Sequence, residues 1–515
     1  NSTSCSFSRD ESAYSERLRI LMDSPPATLN PRRTLDAAGQ RINALLFRAL
    51  TRLDENLEPQ PDLAESWKMF DGGRTWKFAI RADLKDHQHR SIGAQEILEC
   101  LENYRAGEPY SPLRESFLSW VRTELGPDRK SVILRLSQPD PYLLRNLSLL
   151  RFYQDATGSE KPCAELKDDT IPISNGLYAP NIWTLNPESS FELNSHVTNR
   201  RSLRLLFVND ENTKAIYLLR GEADVTQNAI GLSKTKWAKD HLQSRYSVVE
   251  RDGVSVAYLA FNMRDPILSK LAVRRAIALA IDRELIISTK LDGYAKLAGS
   301  FLSPLLPESF QTEMKSEPNQ SSRVLEQAGF MKNKAGIFFQ LHYKTTPSRE
   351  GLEMAQIFQQ MLKRIGVELI IDVVEPAVFF SSIRKGSFQL YSSRWVGVAD
   401  GSILSRTLHT GQLTNRVGYV NPEMDASLDR ASREMSLTQR KEILREIQSL
   451  MAKDMPYFPL WYWKNTVIFN NEFFIMPRLI GFCFLFLDFS INFPNLIVNN
   501  NRRRNDDNQH ESDRL

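Results

Sequence analysis

A chain of 515 residues is longer than one hydrophobic core serves, so two or three domains are expected. Its 66 basic and 62 acidic side chains leave a formal net charge of +4, and 25% charged with 42% hydrophobic residues is an ordinary soluble balance. This excludes any charge-driven case for nucleic acid or anionic membrane, and Cys5, Cys100, Cys163 and Cys483 show no CxxC pair or His/Cys spacing for structural zinc or a redox dithiol.

In chain order, the opening NSTSCSFS has no apolar h-region, so any secretory signal has been removed or lies outside the given chain. Residues 17–22 read as a first strand, LNP at 29–31 as a turn, and 42–53 as a helix. After PDLAESW at 61–67, residues 71–74 make a hairpin-like turn into an alternating strand at 75–81. A helix begins at Ala94 and runs through Tyr104, and strand 130–136 is a partner for 76–80. Together these form a small α+β unit over 44–168. Cys100 and Cys163 either pair in an oxidising compartment or remain two buried thiols. Further on, 190–196 and 203–208 are paired strands and 212–219 a helix.

From 254 to 455 strands and helices alternate: strands 254–261, 337–343, 367–374 and 388–392 with helices 270–281, 321–328, 350–364, 376–385 and 437–452. That pattern predicts an α/β domain on a mostly parallel or mixed sheet. Within it, Tyr258 to Phe261 suit a covered strand, and Asn262 ends it with a side chain suited to turn backbone. Ser269 is placed to cap the next helix, which turns Val273, Ala276, Ile277, Ala280 and Ile281 inward and sends Arg274 and Arg275 to solvent. Residues 473–498 are apolar, but Pro477, Arg478, Asp488, Asn492 and Pro494 interrupt them, which favours final core strands over a membrane anchor. The ends, 1–13 and 501–515, read as disordered.

The wording and order of 258–283, YLAFNMRDPILSKLAVRRAIALAIDR, resemble the signature of the family-5 extracellular solute-binding proteins, the oligopeptide-, dipeptide- and nickel-binding receptors of bacterial ABC importers. The resemblance runs from about 17 to about 470, through Leu29-Asn-Pro31, Pro61 to Trp67, Asp71 to Arg81, Ser174 to Tyr178, Gly221 to Val225, Leu325 to Phe330, Ala355 to Val367 and Asn415 to Asn421. It implies an α/β, two-lobed periplasmic-binding-protein-like (type II) fold with an extra α+β domain in the first lobe. Lobe one is expected over 14–43, 169–253 and 456–500 with 44–168 inserted, and lobe two over 254–455. The implied protein is a monomeric, extracytoplasmic receptor without cofactor or catalysis, periplasmic or attached to the cell surface. It captures short peptides or peptide-like solutes, or alternatively a metal chelate, sugar or opine, by hinge closure and hands them to the permease transmembrane subunits. Thr3 and Ser4 before Cys5 resemble the end of a lipoprotein signal, so Cys5 is a candidate lipid attachment site.

A cleft for peptides needs an acid for the amine, a base for the carboxylate, exposed backbone and aromatic walls. Residues 393–401 (SRWVGVADG) offer Arg394, Trp395, Gly397 and Asp400. In the resembling receptors an aspartate just after the matching tryptophan binds the peptide amine. Val398 stands there in this chain, and Asp400 lies two positions later. The loop 34–38 aligns with a loop that contacts peptide backbone, making Asp36, beside Ala37, a second acid candidate. Arg416 and Tyr419 follow the segment. Tyr258, Asn262, Trp461, Tyr462 and Trp463 lie near the expected crossovers, where core packing is the default. His87 and His89 form an HxH pair without a third nearby ligand, a poor metal site. No HExxH, GxSxG or GxxxxGK[ST] motif is present, which leaves a secreted hydrolase or a signalling receptor on the same fold as the weaker alternatives.

Overall fold

The computed structural model describes residues 17–472 apart from 35, 55, 156–160, 167–171, 182–189 and 197–201. The expectations for Cys5, for 473–498 and for the two chain ends lie outside the described residues. Two long strands organise the rest. Tyr246–Phe261 and Tyr457–Asn470, both rich in aromatic and β-branched residues, pair antiparallel from Tyr246 opposite Asn470 to Ala260 opposite Tyr457. Their register breaks between Asp252 and Val256. At the break a Cβ on Gly253 would lie 2.3 Å from the Trp463 carbonyl oxygen, so only glycine lets the strands approach so closely.

An eleven-stranded mixed sheet grows from this pair. Beside the Asn470 end lie Val225–Gln227, Arg17–Met22, Ser202–Phe207, Ser190–Ser195 and Tyr178–Pro180; beside the Phe261 end lie Leu390–Trp395, Phe339–Thr345 and Val367–Val373. The first set forms one half-sheet and the second another, with the irregular stretch 252–256 between them. Helices Leu271–Ala280 and Arg349–Arg364 pack on one face of the second half-sheet, while Pro422–Arg433 and Leu437–Asp454 pack on the other. The expected alternation of strand and helix over 254–455 is present.

The 44–168 region carries a four-stranded antiparallel sheet in the order Ala64–Phe70, Thr75–Ile80, Ser131–Leu136, Trp120–Leu125. Strand Thr75–Ile80 pairs with Ser131–Leu136 as the alternation predicts. The helix expected at 42–53 instead spans Ala37–Leu46, and Thr51–Leu53 is a strand paired with Pro59–Pro61. Asp36 starts the helix earlier by accepting a hydrogen bond from the Gly39 N–H at 2.7 Å.

Cys100 and Cys163 form a disulfide that ties helix Ala94–Ala106 to the segment 161–166. Beside it, the fully buried Arg32 donates to the carbonyls of Cys163, Gly107 and Pro109, fastening the 30–34 turn to this unit. The bridge closes a sequence separation of 63, for which chain entropy alone gives about 4 kcal/mol. A Cys100→Ala/Cys163→Ala protein should lose about 2–4 kcal/mol in urea unfolding. Equal midpoints for the two proteins would show that the bridge does not stabilise the fold.

The segment 258–283 differs from its sequence reading at two points. Asp265, not Ser269, receives the turn N–H groups of Ile267 and Leu268, each at 2.9 Å, and Ser269 Oγ instead donates to the Pro266 carbonyl. Arg274 is 3% exposed rather than solvated, and its guanidinium donates to the carbonyls of Leu268, Ser269, Asp454 and Met455. Arg283 is buried likewise, donating to Ala298, Pro459 and Met314. The helix turns Arg274 inward because the end of helix Leu437–Asp454 presents carbonyls that need donors there. Asn262 behaves as expected, donating to the Gly386 and Phe388 carbonyls.

Candidate functional site

Strand direction locates the site. Arg17–Met22 runs parallel to Ser202–Phe207 and Val225–Gln227, and Gln227 pairs with Val467, so these strands point their carboxyl ends at the break in the long pair. From the other half, Phe339–Thr345, Val367–Val373 and Leu390–Trp395 are parallel, and Trp395 pairs with Val256. Two sets of strand ends therefore face one another across the break. The crevice outside the carboxyl ends of such strands is where α/β sheets hold ligands, because loops and helix N-termini converge there.

On the first wall, Asp36 caps helix Ala37–Leu46; its Oδ1 holds Gly39 N–H, and its buried Oδ2 has no partner among the described residues. Ala37 beside it is exposed. Nearby, a hollow of about 20 Å³, the size of one water, is lined by Met22, Arg41 and Gln227 among others. Gln227 Nε2 is buried there without a partner among the described residues.

On the second wall, the strand end carries an aromatic and a cation together. Trp395 stacks on Tyr258 with centroids 5.7 Å apart at 19°, and the Arg416 guanidinium lies 5.4 Å over the Trp395 ring. Both Trp395 Nε1 and Arg416 Nε are buried without partners among the described residues. Arg394 is exposed on the same strand. Gly397 takes the left-handed conformation, φ 65°, and its N–H donates to Ser255 Oγ at 3.2 Å, fastening this loop to the break. Val396, 45% exposed, continues the wall, and Val373, Val378 and Phe380 are exposed at neighbouring strand and helix ends.

The remaining candidates turn elsewhere. Val398 is buried in the second-half core. Asp400 is 6% exposed; it accepts from Ser402 N–H and faces Arg145 at 3.6 Å. Tyr419 is buried and donates its hydroxyl to Asp454 Oδ2 at 2.6 Å. Tyr462 donates to the carbonyls of Ser300 and Leu302, while Trp461 and Trp463 pack against the second-half core, meeting edge to face at 6.0 Å. The geometry thus gathers Trp395, Arg416 and Tyr258 and separates them from Asp400 and Tyr419. Nothing local in the sequence marks Gln227, Ser255 or Arg145, whose partners lie far along the chain.

His87 holds no metal-like cluster, and among the described residues no group of three His, Cys, Asp or Glu side chains is arranged for one. Its ring stacks on His196 at 3.6 Å; Nε2–H donates to the Gly176 carbonyl, which leaves Nδ1 to accept from Ser174 Oγ. Burial, then the neighbouring His196, lowers its pKa to about 4 from 6.5. The unfolded chain takes up this proton below pH 6.5 and the folded one does not, so stability is present above pH 6.5 and is lost as pH falls through 4. The loss is on the order of 1 kcal/mol after solvent screening, and His87→Gln should flatten the fall in melting temperature between pH 7 and 4. An unaltered profile would remove His87 as its source.

With this geometry in place, the family description "Bacterial extracellular solute-binding proteins, family 5 Middle" matches residues 58–412. The chain belongs to this family. It is a solute-binding protein that performs no chemistry on what it binds. Among similar proteins, the "Dipeptide-binding protein DppE" of Bacillus subtilis is 23% identical over 483 residues, covering 87% of this chain and 86% of that protein. The "Peptide transport periplasmic protein SapA" of Salmonella typhimurium is 25% identical over 477 residues, 84% of each chain. Among solved structures, NikA of Brucella suis in complex with Fe(III)-EDTA superposes with a TM-score of 0.79 at 20% identity, covering 89% of this chain and 96% of that one. AppA of Bacillus subtilis in complex with a nonapeptide gives 0.74 at 21%, covering 92% and 99%. The fold is therefore the mixed α/β fold of the family-5 solute-binding structures. Among the described residues no helix is long and apolar enough to cross a membrane.

Proposed function

We propose that the chain is the receptor subunit of a bacterial ABC importer and captures short peptides or peptide-like solutes by hinge closure for delivery to the permease. One observation carries this reading: two half-sheets, which share two long strands with an irregular stretch between them, aim their strand ends at a common crevice. Among the described residues, lobe one takes those within 14–43, 169–253 and 456–500 with 44–168 inserted, and lobe two those within 254–455. Solute contacts to both lobes favour the closed state over the open one. Asp36 and Ala37 meet the solute from lobe one. Arg394, Trp395 and Arg416 meet it from lobe two, with Arg416 over Trp395 suited to a carboxylate beside an apolar or aromatic group. Gly397, Val398 and Asp400 hold that wall in shape, while Tyr419 braces the segment behind it through Asp454.

Similar proteins are named for dipeptides and oligopeptides, which supports the peptide reading. The disulfide fits an extracytoplasmic location, periplasmic or held at the cell surface through lipid on Cys5. Arg416 also suits an anionic metal chelate, and solved structures of similar fold hold Ni(L-His) and Fe(III)-EDTA. Native mass spectrometry of the purified protein separates the two readings: a series of small peptide masses supports the first. A protein that ignores a peptide library and is thermally stabilised by one chelate belongs to the second.

A further inference from the structure

The 44–168 unit shares one core with the first half-sheet, yet it reaches across to the second half. Leu53, on strand Thr51–Leu53, and Leu57, in the turn that links it to Pro59–Pro61, are buried in the second-half core, the cluster that also holds Val398 and Ile403. In return, Met435 packs against the first core and approaches Gly73. Between these apolar exchanges sits a polar seam. Arg145, on helix Leu143–Leu147, donates to the Ala399 carbonyl at 2.6 Å and faces Asp400 at 3.6 Å and Glu58 at 4.0 Å. Next to it the Tyr142 ring lies 5.4 Å from the Arg440 guanidinium, which is paired with Glu308 at 2.8 Å; Glu308 in turn accepts the Gly401 N–H. Burial and the facing Asp400 raise the Asp140 carboxyl to about 6, as expected where water is excluded.

We propose that this seam is a closure clasp and that Arg145 is a positioning residue for solute capture: it grips the 399–400 loop across the lobes and so sets the closed fraction. It rests on the closure described under the proposed function but not on the solute being a peptide. A third connection beside the two strands matters because two strands whose pairing breaks at 252–256 leave the lobe angle weakly determined. The loop that Arg145 grips carries Gly397 and follows Trp395, so the clasp also fixes the wall that meets the solute. Asp400 is thereby the receptor of an internal cation, not an acid awaiting an amine.

The test measures lobe separation directly. In a chain with Cys5 and Cys483 replaced by serine and the disulfide kept, spin labels at Leu118, 78% exposed, and Leu413, 85% exposed, report the distance between lobes by pulsed electron resonance. Without added solute, Arg145→Ala should shift the open-to-closed ratio about tenfold toward open. Arg145→Lys should recover part of the closed population, and Asp400→Asn should add little to Arg145→Ala. Should Arg145→Ala fold poorly, Asp400→Asn alone should shift the ratio in the same direction. Labels that respond to a tripeptide mixture in the wild type but read the same distances in both variants would overturn the clasp and leave closure standing. Labels that move under no solute, peptide or chelate, and in no variant, would overturn closure and the clasp together.

Discussion

Arg274→Ala should lower the stability of the folded chain by about 3–5 kcal/mol, read from the urea midpoint by tryptophan fluorescence. The guanidinium supplies donors to carbonyls of two separate segments, 268–269 and 454–455, and alanine leaves those acceptors buried and unpaired. The next residue is the internal control: Arg275 is exposed, so Arg275→Ala should stay within about 0.5 kcal/mol of the wild type. Arg283→Ala should resemble Arg274→Ala, because its three carbonyl acceptors also come from separate segments. If Arg274 and Arg275 variants unfold at the same urea concentration, the buried donor has no structural weight.

The largest functional effect is expected at the second wall. Arg416→Ala should weaken capture of a bound peptide or chelate by ten- to a hundredfold in isothermal titration, as for aromatic and arginine anchors at other interfaces. Removing the cation uncovers the Trp395 face and deletes the charge that a carboxylate or chelate needs. Trp395→Ala should cost a similar factor, whereas Trp395→Phe keeps the ring and should cost less. Tyr419→Phe serves as the contrast: it loses the hydrogen bond to Asp454, so it should lower the melting temperature while solute affinity stays close to wild type. Unchanged affinity in both Arg416→Ala and Trp395→Ala would move the site away from this wall.

Much of the fold was legible from periodicity. Strand 17–22 and helix 376–385 appear at their expected bounds, and helix 350–364 falls within one residue, because each has an alternating or 3.6-residue apolar pattern with clear end signals. The helix expected at 42–53 was misplaced because its apolar residues continue past Leu46 into a strand whose pairing with 59–61 the local pattern does not encode. Arg274 is a different kind of miss. An arginine beside another arginine on an amphipathic helix reads as solvated, and only the carbonyl ends brought up by a helix 180 residues away make it a buried donor.

The site divides in the same way. By itself the sequence determined the family, the alternating α/β build, and the residue types gathered at 393–401, since each follows from order and spacing along the chain. Whether Cys100 and Cys163 bond, where Asp400 points, that Arg416 lies on Trp395, and that the 44–168 unit grips the far half were decided only by the tertiary structure. Those outcomes depend on which distant segments compete for the same donor, acceptor or apolar face once the chain is packed, and no local pattern carries that information.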